Sequence, residues 1–482
     1  MDSQLPDHQS SGSSRLKTGE EVVQELPWRW RVQGMIFLVG GLGYVFDAWD
    51  VTLNGFLIPL VRDQWELSTS TAALVGTSNL VGMAIGSFVW GGMADTIGRK
   101  KAFSLTLLTF SVFTVLGAFS HAFWLFCVFR FFAGFGLGGC IPVDYALVGE
   151  FTPAKVRGRV LASMNIWWPV GATLCGVVST AFLSITFIDN WRAMMLILVL
   201  PALLLFWVRL SIPESPMYLV SQGRRDEARK VIDSLVHRTG ADHVDWDFPP
   251  AVETPKLSFS AIAKKLPELW KFSVRVSSVS WGLFVTVFLV YYGALTWLPS
   301  ILKDEGYGNY ASFMVTTFMT GVGVVGVLAS AWLVDAIGRK WVIGLSGPLS
   351  ALCLVLFALS LDLPRAATWW IGAFGFIIEL TIPALYTYVS ELHPTHLRAS
   401  GFGWASSASR VAAGFVPVIF GSLLWPHLGL PLTFTVVGGL LTAAIIWMAV
   451  ATPETRGLEL DSIDVDRRAS NAGRYASFDE VS

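Results

Sequence analysis

A few charged side chains stand inside long apolar runs of this chain, where charge is costly and needs a reason. Asp47 and Asp50 lie near the middle of the first run, Arg130 about two turns into the fourth, Glu379 in the tenth and Arg410 in the eleventh. A spacing of three puts Asp47 and Asp50 on one face of a helix. A buried carboxylate opposite Arg130 is balanced between attraction to the cation and the cost of desolvation. A small rearrangement can then load or unload a proton. Asp47 is the expected titrating acid facing Arg130, with Asp50 as second acid or substrate contact. The plain alternative is a static ion pair that fixes packing. Glu379 reads either as a solvated pore acid or as a second proton or substrate site. Arg410 has no acidic neighbour in the sequence. It either holds a substrate carboxylate bidentately or pairs with Glu379. Asp144, about four turns after Arg130 on nearly the same face, has no assigned role.

Aromatic residues supply the remaining pocket candidates. Asn165, Trp167 and Trp168 precede Pro169 and Gly171, and Tyr291 and Tyr292 precede Gly293. Trp and Tyr stack on flat rings and keep a polar edge for hydrogen bonds. Kinks at Pro169, Gly293, Pro299 and Pro383 would open helices around such a site. The plain reading of each aromatic is packing or an interfacial anchor.

The elements that must position these groups come in two copies. GGMADTIGRKK (residues 91–101) recurs as SAWLVDAIGRK, ending at Lys340. Glu150 and Arg157 recur as Glu391 and Arg398, and Pro213-Glu214-Ser215 as Pro453-Glu454-Thr455, always 240 or 241 residues on. One half therefore reads as a copy of the other. Asp95 with Arg99 and Asp335 with Arg339 can tie neighbouring helix ends together. Glu150, Arg157, Glu214, Glu391, Arg398 and Glu454 carry the charges for an ion-pair network closing that face. The plain reading is topogenic positive charge alone.

With 53% hydrophobic and only 14% charged residues, the chain falls outside the soluble class, which carries nearer a quarter charged residues. Six apolar runs (33–60, 72–94, 102–120, 122–149, 160–189, 193–212) precede a polar stretch, and six follow it (274–302, 310–334, 341–361, 366–390, 399–425, 429–452). Each can cross about 30 Å of hydrocarbon as a helix. The expectation is an all-α membrane protein of 12 transmembrane helices in two pseudo-symmetric six-helix bundles. A disordered tail (1–32, with Trp28–Arg31 as a surface anchor) would lead into bundles 33–212 and 273–452. Residues 213–272 would link them, with a short amphipathic helix at Arg224–Arg238, and 453–482 would form a second tail. Of 34 basic residues, 28 fall on the side of the tails and linker, against four opposite: Arg62, Arg192, Lys303 and Arg365. That asymmetry places both termini in the cytoplasm.

Several classes are excluded. A net charge of −1 gives no nucleic-acid signature. Cys127, Cys140, Cys175 and Cys353 sit in apolar runs without metal-ligand spacing, and no cofactor or metal is expected. GFGLGG (134–139) lies within an apolar helix rather than after a strand, so it is a packing strip and not a dinucleotide loop. No Walker-type phosphate loop and no nucleophile–base constellation points to a pump or an enzyme.

The 91–101 loop and its copy resemble the signature of the major facilitator superfamily. RFFAGFGLGG, PESPMYL and PETRG resemble its sugar-porter-like branch. FDAWD, GGCIPV, NIWWPVG and YYGALTWLPS resemble the bacterial niacin transporters, grouped with metabolite:proton symporters and synaptic vesicle glycoproteins. The resemblance implies the major facilitator fold, alternating access, and a span-1 acid set against the span-4 arginine. It also implies a cytoplasmic network that holds in the outward-open state and breaks in the inward-open one. The expected function is proton-coupled symport of a small aromatic or heterocyclic acid such as nicotinate by a monomer in the cell membrane. Arg410 would hold the carboxylate, Trp167, Trp168 and Tyr291 the ring, and Asp47 with Arg130 the proton. The alternatives are a carrier of a sugar, polyol or organic cation using Glu379 and Asp50, and a ligand sensor that does not transport.

Overall fold

In the computed structural model, residues 17–185, 188–199, 213–242, 245–248, 259–394 and 397–456 are described. Among them the chain is almost wholly helical. Nine helical stretches are long and apolar enough to cross a membrane, and Ser400–Ala451 carries two crossings in one. That stretch turns at Gly429, whose φ is +73°. Two shorter apolar helices, Phe123–Leu137 and Asn190–Val199, complete twelve spans in two bundles of six.

The pattern of burial is that of a membrane protein. Large apolar side chains face outward, among them Trp332, Trp369 and Val450 at 71%, 72% and 78% exposure, while Asp47, Asp50, Arg130, Asp144 and Glu379 are buried. Backbone polar groups are satisfied within helices, as hydrocarbon demands.

Glycine sets the closest contacts. A Cβ at Gly134 or Gly138 would come within 2.2 Å of the span-2 backbone at Asn79 or Met83, so the GFGLGG strip lets span 4 pack directly on span 2 (Leu74–Ile97). Gly98 and Gly338, at equivalent points of the two repeated loops, have φ of +102° and +103°. A Cβ there would meet the carboxylate of Glu214 at 2.5 Å or of Glu454 at 2.7 Å. Those carboxylates accept the first N–H groups of the following helices. Glu214 takes Lys100 N–H at 3.2 Å, and Glu454 takes Arg339 and Lys340 N–H at 3.0 Å each. An anion at a helix N-terminus satisfies orphan donors and complements the helix dipole. The repeated Pro-Glu-Ser and Pro-Glu-Thr motifs are thus helix caps that follow spans 6 and 12 in the sequence.

Two surface features refine the expected layout. The amphipathic helix spans Arg225–Thr239, and its Ile232, Leu235 and Val236 are buried with Val22, Val23, Leu26, Leu147 and Trp246. Part of the N-terminal stretch expected to be disordered is ordered. Gly19–Glu25 is a helix with a Thr18/Glu21 capping box, and Lys17–Thr18 pairs in parallel with Trp246–Asp247. The capping box and the apolar pair Val22-Val23 were the local signal for this element.

Candidate functional site

Span 1 (Met35–Gln64) carries Asp47, Asp50 and Asn54 at i, i+3 and i+7, one stripe turned to the bundle interior. Arg130 of span 4 does not meet Asp47, as expected, but Asp50. Its Nη1 donates to Asp50 Oδ1 at 2.7 Å and its Nη2 to Asn54 Oδ1 at 2.8 Å. Asn79 of span 2 closes the cluster, donating to Asp50 Oδ2 at 2.9 Å and accepting from Asn54 Nδ2 at 2.8 Å. Asp50 and Arg130 are fully buried, so this is a charge pair whose carboxylate is bonded on both oxygens. Asp47, one turn nearer the repeated loops, has no hydrogen-bond partner on either oxygen among the described residues and is 1% exposed. Its charge acts on Arg410 of span 11 (Arg398–Val418), with Asp50 and Asp144 as the other charges in reach. Asp144 packs on span 1 at Gly43, one turn further along.

A central cavity, part of it open to solvent, lies between the two bundles. Its wall comes from Tyr44 of span 1, Asn165 and Trp168 of span 5, Phe288 and Tyr292 of span 7, Glu379, Ile382, Pro383 and Tyr386 of span 10, and Ser406, Ser409 and Arg410 of span 11. Arg410 makes no ion pair or hydrogen bond with the described residues, and Tyr44, Tyr292 and Tyr386 surround its charge. It does not pair with Glu379. Trp168 Nε1 donates to Tyr291 O–H at 2.9 Å, linking the halves, and its ring meets Tyr44 and Tyr292 edge-on. Tyr291 is buried behind this wall beside Glu379. Trp167 is outside the cavity. It packs on Phe37 at 5.8 Å between ring centres and covers Gly41, because a residue adjacent to Trp168 projects about 100° away on the same helix.

Tyr44, Phe288, Tyr386, Ser406 and Ser409 were not among the expected wall residues. Tyr44 stands three before Asp47 and Tyr386 seven after Glu379, on the same helical faces, so the spacing held the signal.

The two faces of the protein differ. On the face opposite the repeated loops, span 1 ends in Arg62-Asp63 and span 7 (Val274–Asp304) in Lys303-Asp304, equivalent positions 241 apart. They pair reciprocally. Arg62 grips Asp304 with two hydrogen bonds, one of 2.9 Å, and Lys303 bonds Asp63 and, at 3.1 Å, the Pro59 carbonyl. Spans 2 and 11 touch on this side, where a Cβ at Gly414 would lie 3.0 Å from Val81 and one at Gly76 3.0 Å from Pro417. Eleven residues further along both helices, Gly92 and Gly403 face open space. Among the described residues the bundles therefore diverge toward the repeated loops and are open on that face.

Several of the residues expected to gate that face pair within their own halves. Arg339 meets Asp335 at 3.3 Å and Glu391 at 3.1 Å, and Glu391 accepts from Thr455. Arg157 donates to the Thr152 carbonyl, and Glu150 and Arg398 are both engaged. Glu214 and Glu454 cap helices. The side chains of Asp95 and Arg99 lie outside the described residues. None of the pairs just named joins one half to the other.

Twelve spans in two matched bundles, a central cavity and an opening on one face are the architecture of a carrier. Over residues 29–466 the chain matches the sugar (and other) transporter family. The chain belongs to this family. It is 31% identical over 435 residues to the niacin transporter NiaP of Acinetobacter baylyi, covering 88% of this chain and 95% of that one. It is 30% identical over 420 residues to a gallate transporter of Pseudomonas putida, covering 85% and 89%. Its fold is similar to that of the xylose transporter XylE from E. coli in a partially occluded inward-open conformation. The TM-score is 0.72 at 18% identity, covering 89% of this chain and 100% of that one. The protein is a transporter of the major facilitator type and not an enzyme.

Proposed function

We propose that this transporter carries a small aromatic or heterocyclic acid, such as nicotinate, together with a proton by alternating access. The observation that carries the reading is Arg410, a guanidinium without ion pair or hydrogen bond among the described residues, in an aromatic-walled cavity beside the unbonded carboxylate of Asp47. A guanidinium holds a carboxylate bidentately, and Trp168, Tyr292, Tyr44 and Tyr386 offer faces and edges to a flat ring. The relatives that carry niacin and gallate support an acid of this kind.

Coupling follows from competition. A buried carboxylate without hydrogen bonds is costly, and two events relieve it: contact with Arg410, or uptake of a proton. When Asp47 binds a proton, Arg410 is released for the substrate carboxylate. When the proton leaves on the other side, Asp47 reclaims Arg410 and the substrate departs. Asp50, Asp144, Glu379, Tyr44, Tyr145, Tyr292 and Tyr386 are titratable groups around this exchange. The Asp50–Arg130–Asn54–Asn79 cluster joins spans 1, 2 and 4 and keeps the span-1 stripe in register. The basic residues on the tail and linker side orient both termini to the cytoplasm of a cell membrane, which makes the present opening inward.

The test is uptake of labelled nicotinate into proteoliposomes with and without an inward proton gradient, for wild type and Arg410→Met. Gradient-stimulated uptake that the substitution lowers by about 100-fold or more is expected. Equal uptake by the two proteins contradicts the assignment of Arg410. No uptake by folded wild type contradicts the substrate class.

A further inference from the structure

Glu379 gives the cavity a second pole that a carrier of simple carbocyclic acids does not need. It is 3% exposed, lines the same cavity as Arg410 and has the Tyr291 hydroxyl beside it, while its Oε1 has no hydrogen-bond partner among the described residues. Span 8 (Asn309–Ile337) faces it with Gly323 and Gly326, which bring no polar side chain. A Cβ at Gly323 would come within 2.8 Å of Glu379 Cγ, so the glycine makes room for the acid where it stands. No ion pair joins Glu379 to Arg410. Tyr292 and Tyr386 lie within electrostatic reach of both, so aromatic rings line the space between a cationic and an acidic end.

Resting on the reading above, we propose that Glu379 hydrogen-bonds a ring nitrogen of the cargo, which makes the substrate class a heteroaromatic acid. Its carboxylate lies on Arg410 and its nitrogen meets Glu379. One proton is shared in that contact. Either the Glu379 carboxyl donates it to a pyridine-type nitrogen, or the carboxylate accepts it from a protonated ring N–H. A carbocyclic acid of the same shape leaves Glu379 Oε1 buried and unpaired. A site built to bond a polar group rejects such an isostere far more strongly than an apolar pocket rejects a spare atom.

Nicotinate and benzoate differ in shape by little more than the ring nitrogen, so their binding to the purified full chain, measured by calorimetry, tests the proposal. Wild type is expected to bind nicotinate at least about tenfold more tightly than benzoate. Glu379→Leu is expected to weaken nicotinate and strengthen benzoate, bringing the ratio near one. Glu379→Gln keeps an amide that can donate to the nitrogen and is expected to retain a preference. If the Leu variant binds neither acid, the Gln variant decides. A retained preference supports the proposal, and equal affinities overturn it. Equal affinities in wild type, both lost in Arg410→Met, overturn the role of Glu379 and leave the carboxylate reading intact. No binding of either acid to folded wild type overturns both.

Discussion

The two faces of this transporter use equivalent residues of its repeat in opposite ways. Opposite the repeated loops, Arg62-Asp63 and Lys303-Asp304 reach across to each other, so the internal symmetry produces two reciprocal bonds between halves. At the loop face the repeated glutamates turn inward to their own half, capping helices at Gly98 and Gly338. One set of contacts can be broken without disturbing either bundle, whereas the other belongs to the bundle itself. The difference teaches where the protein can move. In the alternating access proposed above, the halves move against each other as units and the bonds between them exchange.

The comparison breaks most sharply under a covalent tie. Replacing Val81 and Gly414 by cysteines, which the structure brings together, should lock the protein open at the loop face. Oxidation is expected to abolish transport completely and reductant to restore it. Turnover that continues in the cross-linked protein would mean the halves do not part there. The four native cysteines are buried and form no disulfide with one another, which keeps the background low.

A smaller effect is expected within one half. Gly338→Ala forces a side chain into positive φ against Glu454, and Gly98→Ala does the same against Glu214. Each should cost about 1–3 kcal/mol of stability, read as a lower unfolding temperature of the purified protein. Two substitutions of equal cost would confirm that the halves are built alike, and an unaffected melting temperature would show that the glycine conformation is not required.

The smallest effect is expected at the reciprocal pairs. Arg62 and Asp304 are partly exposed, at 17% and 32%, so each bond contributes about 1 kcal/mol or less. Arg62→Asp should shift the population toward the opposite opening by no more than about fivefold, and adding Asp304→Arg should reverse the shift. Spectroscopic distances between labels on spans 1 and 7 would record it. Additivity of the two substitutions, with no rescue, would deny the pairing.

Much of this was legible in the sequence because it rests on period and repetition. Apolar length marked the spans, and the recurrence of Asp-x-Ile-Gly-Arg-Lys marked the halves. Positive φ accounts for the glycine in that motif, and capping accounts for the glutamate of Pro-Glu-Ser. The choice between Asp47 and Asp50 was not legible. Both lie on one stripe, one turn apart, and only the depth of span 4 against span 1 decides which meets Arg130. The same limit hid the division between Trp167 and Trp168, since the direction of the span-5 face depends on its packing. Tyr44 and Tyr386 lay at readable spacings from the acids, but their convergence on Arg410 comes from packing between halves, which a local period does not encode.

The exchange between Asp47, Arg410 and a proton is tested most directly by Asp47→Asn in proteoliposomes. Asparagine imitates the protonated acid and cannot release its proton, so Arg410 stays open to the carboxylate. Exchange of labelled for unlabelled nicotinate at equal pH should persist, and uphill accumulation driven by an inward proton gradient should vanish. Gradient-driven accumulation that survives the substitution would contradict coupling through Asp47.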